Sequence, residues 1–242
     1  MTSKTLLTLL TGTALAFGVS HAQAQDLNKD EITSIVKQLL ADEPELVANA
    51  LDAHRANMER QRAAAAEEKM KEHEGYFASD EALVMGNPEG SITIVEFFDY
   101  NCGYCKRAFD DLQKTIEGND DIRAVMIEMP ILGPTSLVKA RWAVAANQQG
   151  KYAEVHGELM SSSAQPTDST MAKIAEKYDL DLEKFKADIE TAETQQKIDK
   201  NLQIARDIGI NGTPAFIVQG KLYRGYLGPG GLDREIAKLG DS

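Results

Sequence analysis

The stretch Ile92-Thr93-Ile94-Val95-Glu96-Phe97-Phe98-Asp99-Tyr100-Asn101-Cys102-Gly103-Tyr104-Cys105 decides the reading of this chain. Seven mostly apolar residues, rich in β-branched and aromatic types, predict a buried strand. Lys106-Arg107-Ala108-Phe109-Asp110-Asp111-Leu112 follows with helical spacing. Cys102 and Cys105, the only two cysteines in 242 residues, therefore stand at a strand-to-helix junction. A C-x-x-C pair placed there reads as a redox site. The free N–H groups and positive dipole end of the helix favour a thiolate on the first sulfur. The second lies one turn later, within reach of a short disulfide.

Working outward, a second strand is expected from Ile122 to Met129, stopped by Pro130. Helical periodicity with few breakers then runs to Ile208. Strand character returns at Ala215-Phe216-Ile217-Val218 and again from Leu222 to Tyr226, before a last helix over about Leu232 to Leu239. Toward the N-terminus, residues 26–74 read as helical. Ile32, Ile35, Val36, Leu39 and Leu40 form one apolar stripe, Asn28 or Asp30 can cap it, and Pro44 suits the start of a second helix. Beyond Met58 that stripe fades into an Ala/Glu/Lys run, and Gly75 is expected to end the helix. An arm this thin cannot build its own core. Its stripe must be buried on something, and self-association is the expectation, against an arm that folds back on its own chain.

Lys4, the apolar run Leu6 to Val19 and Ala22-Gln23-Ala24 predict a secretory signal peptide over 1–24. The run falls short of the ~20 residues a membrane span needs. Export fits a disulfide-permissive compartment, and the periplasm is the expected location. A formal charge of −12 argues against nucleic acid or an anionic membrane as partner. The expected division is 1–24 signal peptide, 25–85 helical oligomerisation arm and linker, and 86–242 catalytic domain with a helical insertion at about 135–208. The fold class is α/β, a thioredoxin-like sheet with a helical insertion, preceded by the helical arm.

With these elements in place, the chain resembles the DsbA family of periplasmic thiol–disulfide oxidoreductases. Glu96-Phe97-Phe98, the Cys102/Cys105 pair, the helical insertion and Gly212-Thr213-Pro214-Ala215-Phe216 carry the resemblance, over about residues 86–240. The helical arm, the Gly103-Tyr104 dipeptide and Thr213 before the proline are most similar to the suppressor-of-copper-sensitivity protein C branch. The resemblance implies Cys102 as nucleophile and Cys105 as resolving thiol. It also implies a cis peptide before Pro214, with substrate backbone bound beside Thr213, and Glu96 as a buried proton acceptor and donor beneath the disulfide. A Glu96 facing solvent at a strand edge is the plainer alternative. Gly103 and Tyr104 supply no ionisable imidazole beside the thiolate, so it is expected to lean on backbone N–H groups, with Lys106 or Arg107 as added help, and the site should be less oxidising than one with Pro-His. Tyr100 and Tyr104 are candidates for an apolar rim. His156 is read as structural or exposed, and Trp142 as core.

The function expected is a protein disulfide isomerase or reductase needing no cofactor beyond a redox-active Cys102–Cys105 disulfide. Its partners would be misfolded cysteine-containing periplasmic proteins, a membrane thiol reductase and further copies of itself, as trimer or dimer. The alternatives are a DsbA-like dithiol oxidase and a Cu(I)-binding copper-tolerance protein using the two thiolates. Two sulfurs are too few for structural zinc.

Overall fold

A computed structural model describes residues 28–238, so the signal-peptide segment lies outside the described residues. The chain divides into two compact units on either side of Arg55 and Ala56. In the first, helix α1 (Lys29–Asp42) starts at Asn28, whose side chain accepts from the N–H groups of Asp30 and Glu31 at 3.0 Å. Glu31 answers by accepting the Asn28 N–H, closing a capping box. Helix α2 (Glu45–Phe77) begins just after Pro44. No residue of α1 is buried, and Ile32, Ile35, Val36, Leu39, Leu40, Leu46, Val47 and Leu51 are all 40–53% exposed.

The second unit is built on five strands: β1 (Leu83–Gly86), β2 (Ile92–Phe98), β3 (Ile122–Glu128), β4 (Ala215–Val218) and β5 (Lys221–Arg224). Their order across the sheet is β1-β3-β2-β4-β5. Only β2 and β3 run parallel, joined by α3 (Gly103–Gly118); the other neighbours are antiparallel. Helices α4 (Pro134–Asn147), α5 (Tyr152–Ser161), α6 (Asp168–Lys177), α7 (Leu182–Ile189) and α8 (Ala192–Ile208) form the insertion between β3 and β4, and α9 (Gly231–Ala237) follows β5.

Side chains alternate across a strand. Ile94 and Phe98 of β2 enter the core shared with Cys105, Ala108, Phe109 and Leu112 of α3, whereas Val95 and Phe97 enter the core on the opposite face. Glu96 shares its parity with Ile94 and Phe98, so the pleat points a carboxylate at the helix that carries the cysteines. Each fully buried large apolar side chain contributes about 1.5–3 kcal/mol. The burial of Phe97 and Phe98 offsets the cost of burying the Glu96 carboxyl beside them.

The body begins well before residue 86, the boundary expected from sequence. β1 pairs with β3 from Leu83↔Met126 to Gly86↔Arg123. Ala66, Met70, Tyr76 and Phe77 of α2 pack against Val95, Phe97, Val125 and Ile127. Ala66 is the alanine of α2 that is buried here, and an apolar-stripe count gives a lone alanine little weight. Nor does Gly75 end α2, which continues to Phe77 because Tyr76 and Phe77 anchor its last turn. The buried Arg123 guanidinium donates to the carbonyls of Phe77 and Ser79 at 3.4 and 3.0 Å and to that of Pro88, tying the end of α2 to the turn between β1 and β2. The Tyr76 hydroxyl donates to Asn201 Oδ1 of α8 at 3.0 Å in a buried setting. Tyr76→Phe strands that acceptor and is expected to cost about 1–3 kcal/mol. A urea midpoint equal to the wild type's would refute this anchoring.

Candidate functional site

Strand β2 ends at Phe98, and a short turn delivers Cys102 to the start of α3. The Asp99 carbonyl accepts the Cys102 N–H at 3.0 Å. Cys102 is the N-cap residue, with extended backbone at φ −81° and ψ 113°. Its sulfur accepts the Cys105 N–H at 3.2 Å, the position a Ser or Asp oxygen usually fills. The helix start thus directs a backbone donor at this sulfur. The Cys102 thiol also lies 3.5 Å from the Thr213 carbonyl oxygen. The Thr213–Pro214 peptide is cis, and the Pro214 carbonyl accepts the Gly225 N–H at 2.9 Å. Cys102 is 7% exposed and Cys105 is fully buried, both as free thiols.

The protonation pattern follows from burial. Cys105 is pushed well above the usual thiol range by desolvation first, then by its hydrogen bond with Cys102 and the charge of Glu96. Glu96 is raised to about 8, by desolvation first and then by the negative charge of Cys102. Neither carboxylate oxygen of Glu96 has a hydrogen-bond partner among the described residues. β2 is flanked on both sides by other strands, so Glu96 does not face solvent at a sheet edge. Close to neutrality this acid exchanges protons readily, while the thiol beside it cannot ionise unaided.

Gly103 opens α3 with no atom within 4 Å of where a Cβ would stand. Tyr104 is 57% exposed, with the Arg107 guanidinium 4.3 Å from its ring centroid. Lys106 donates to the carbonyls of Leu159, Met160 and Ser162 at 3.2, 2.7 and 2.6 Å, serving the end of α5. The described contacts of Lys106 and Arg107 therefore go elsewhere than to Cys102, contrary to expectation. Tyr100 is corrected too. It is buried, not part of a rim, and its hydroxyl lies 2.9 Å from both Glu128 Oε1 and His156 Nδ1. Tyr152 donates to the same carboxylate oxygen at 3.1 Å. His156 is buried and held neutral, its pKa lowered to about 3 by desolvation. Glu128 is raised well above the carboxylate range by desolvation. Trp142 is buried in the core, as read from sequence.

Sequence reading missed Asp99 and the Ile131-Leu132 pair. The large apolar side chains left exposed among the described residues from 56 onward are Tyr104, Ile131, Leu132 and Val138. They belong to the first turn of α3, to the N-terminal half of α4 and to the loop after β3. The exposed pair was readable as two apolar residues between Pro130 and Gly133, outside any strand. As metal donors, Cys102 and Cys105 supply two sulfurs. Among the described residues, no three His, Cys, Asp or Glu side chains are grouped to hold an ion.

The model of the DSBA-like thioredoxin domain matches residues 93–237. The chain belongs to this family. A thioredoxin-like oxidoreductase from Silicibacter pomeroyi DSS-3 is 38% identical, with 69% of this chain and 96% of that one covered at a TM-score of 0.63. The thiol-disulfide exchange protein α-DsbA2 from Wolbachia pipientis is 26% identical, with 74% and 98% covered at a TM-score of 0.68. A linker-deletion mutant of Proteus mirabilis ScsC shares the fold, at 19% identity and a TM-score of 0.64, over 89% of this chain and all of that one. Among curated proteins, a stretch of 148 residues is 28% identical to the Na(+)/H(+) antiporter NhaA 3 of Salinispora tropica, covering 60% of this chain. The chain spans about a quarter of the length of the curated relatives it matches first. Among the described residues no helix is long and apolar enough to cross a membrane.

Proposed function

We propose that this DsbA-family protein is a thiol–disulfide oxidoreductase acting as a protein disulfide isomerase or reductase in the periplasm. The observation that carries the reading is the Cys102 sulfur, capped by the Cys105 N–H and facing the Thr213 carbonyl, above a buried thiol and a buried acid. Cys102 thiolate attacks one sulfur of a substrate disulfide. A mixed disulfide forms, and the other substrate sulfur leaves as thiolate. The substrate chain lies along Thr213 and Pro214, where main-chain recognition tolerates many sequences. Tyr104, Ile131 and Leu132 offer apolar surface to an unfolded segment.

Two outcomes follow. In isomerisation a substrate thiolate attacks the mixed disulfide and restores Cys102, with no net electron transfer. In reduction Glu96 takes the Cys105 proton, Cys105 attacks Cys102, and the second substrate sulfur leaves. Two electrons have then passed to substrate, and the protein holds a Cys102–Cys105 disulfide. A membrane thiol reductase would return it to the dithiol. A likeness to a periplasmic thioredoxin-like protein of Salmonella enterica, 26% identical, supports the location.

The exposed stripe on α1 supports self-association, which would bring several sites onto one substrate. Introducing Ile35→Asp with Leu39→Asp is expected to reduce the mass in light scattering to that of one chain. Reactivation of a scrambled multi-disulfide protein should be lost, while exchange with a small disulfide persists. Full reactivation by a monomer would remove the arm from the mechanism. Rapid oxidation of reduced substrate without reactivation by the wild type would favour a dithiol oxidase.

A further inference from the structure

Glu96 is not the only buried carboxylate beside the cysteines, and the exchange chemistry leaves Asp99 unused. Asp99 Oδ1 accepts the Asn101 N–H and the Ser136 hydroxyl, each at 2.7 Å. Its Oδ2 accepts the N–H groups of Ile131 and Leu132 at 2.8 and 2.9 Å. Its own carbonyl takes the Cys102 N–H. Four donors converge on one buried carboxylate, close to all an ionised carboxylate can accept. The neighbouring Asn101 extends the brace, donating to Thr135 and Ser136 hydroxyls at 2.7 and 2.9 Å and accepting from Lys139 at 3.1 Å.

The result is a hydrogen-bonded link between the turn that holds Cys102 and the loop after β3. That loop holds its backbone fixed while presenting two apolar side chains outward, Ile131 at 42% and Leu132 at 52% exposure. Here the buried Asp99 side chain accepts their N–H groups from beneath.

We propose that Asp99 is a positioning residue for polypeptide substrate: it holds Ile131 and Leu132 at the rim of Cys102 and sets the preference for peptide over small disulfides. The inference rests on the exchange reading above and deepens it. An amide cannot replace this carboxylate. In either orientation of Asn, its NH2 group faces at least one backbone N–H that had an acceptor.

The test compares single-turnover reactions of the reduced full chain with oxidised glutathione and with a disulfide-bridged peptide carrying apolar flanks. In Asp99→Asn the half-saturating peptide concentration should rise about tenfold, the scale of losing contact with one large apolar side chain. The limiting rate and the glutathione reaction should change less than about threefold, within the size of a modest perturbation. The pair Ile131→Ser with Leu132→Ser should reproduce the peptide effect, and adding Asp99→Asn to it should bring little more, because the three act as one unit. Additive effects, an unchanged half-saturation, or an equal fall with glutathione would overturn the inference. Should Asp99→Asn fail to fold, Ser136→Ala removes one of the four donors and leaves the carboxylate. It should raise half-saturation by about threefold, the equivalent of a single weak hydrogen bond, and no rise would overturn the inference. Exchange by the wild type with glutathione separates a failure here from a failure of the exchange reading, which a wild type inert toward both disulfides would overturn along with this inference.

Discussion

Cys105→Ser is expected to stop reductive turnover and to accumulate a covalent adduct between the protein and its substrate, whereas Cys102→Ser should form no adduct at all. The asymmetry follows from position. Cys102 retains slight exposure and contacts the Thr213 carbonyl, while Cys105 is sealed beneath it. Attack therefore belongs to Cys102, and the serine at 105 leaves the mixed disulfide with no internal thiol to resolve it. Cys102→Ser should fall to the uncatalysed rate. Non-reducing electrophoresis after mixing with a disulfide-bonded protein reads both outcomes. Adduct formation by Cys102→Ser at the rate of Cys105→Ser would reverse the assignment.

Glu96→Gln is the second large effect, and it has two signatures. In the folded chain Glu96 holds its proton up to about pH 8, against an ordinary value of 4.5. Because the folded value is the higher one, the stabilisation is full below pH 4.5. It is lost as pH rises from there through about 8, since the unfolded chain releases its proton first. At about 1.4 kcal/mol per unit, the total is on the order of 5 kcal/mol. The reduced wild type should thus lose stability between pH 5 and 8, and Glu96→Gln should lose much less over the same range. Denaturant titrations at several pH values give the slope directly. Parallel slopes would mean that Glu96 ionises in the folded chain as it does in water.

The kinetic signature lies in the resolving step. Cys105 needs a base, and ionised Glu96 supplies it, so breakdown of the mixed disulfide should accelerate with pH up to about 8. In Glu96→Gln that acceleration should vanish, with resolution slowed about a hundredfold, the low end of general acid–base contributions. Attack by Cys102 should be affected far less. Equal resolving rates in the two proteins at every pH would leave the buried acid without a catalytic task.

Much of the site could be read from local pattern. The run from Ile92 to Phe98 declared a buried strand, and Glu96 within it declared a charge out of place. Cys102 at a helix start announced a capped sulfur, and the Gly212-Thr213-Pro214 stretch resembled its structural counterpart in the family. These features depend on neighbours within a few residues. Tyr100 misled because an aromatic ring next to a cysteine fits a rim as well as a core. Its burial depends on Glu128 and His156, which are 28 and 56 residues away. Lys106 misled in the same way, since its acceptors lie on the far end of α5.

Local pattern was enough for β2 to β5, α3 and their order, because backbone propensity and side-chain periodicity act over one or two turns of chain, whereas β1 and the burial of Tyr100 were not legible in it. Tertiary structure alone decided which elements meet. Parallel pairing of β2 with β3 sets Phe98 beside Glu128 and so brings the loop of Ile131 and Leu132 down onto Asp99. Antiparallel pairing with β4 brings Thr213 across 111 residues to the sulfur of Cys102. The C-terminal part of α2 joins the body because Ala66, Met70, Tyr76 and Phe77 fit a sheet face that only the assembled strands create. Such contacts depend on hydrogen-bond register between distant segments, and the local pattern of a single strand does not specify its partner.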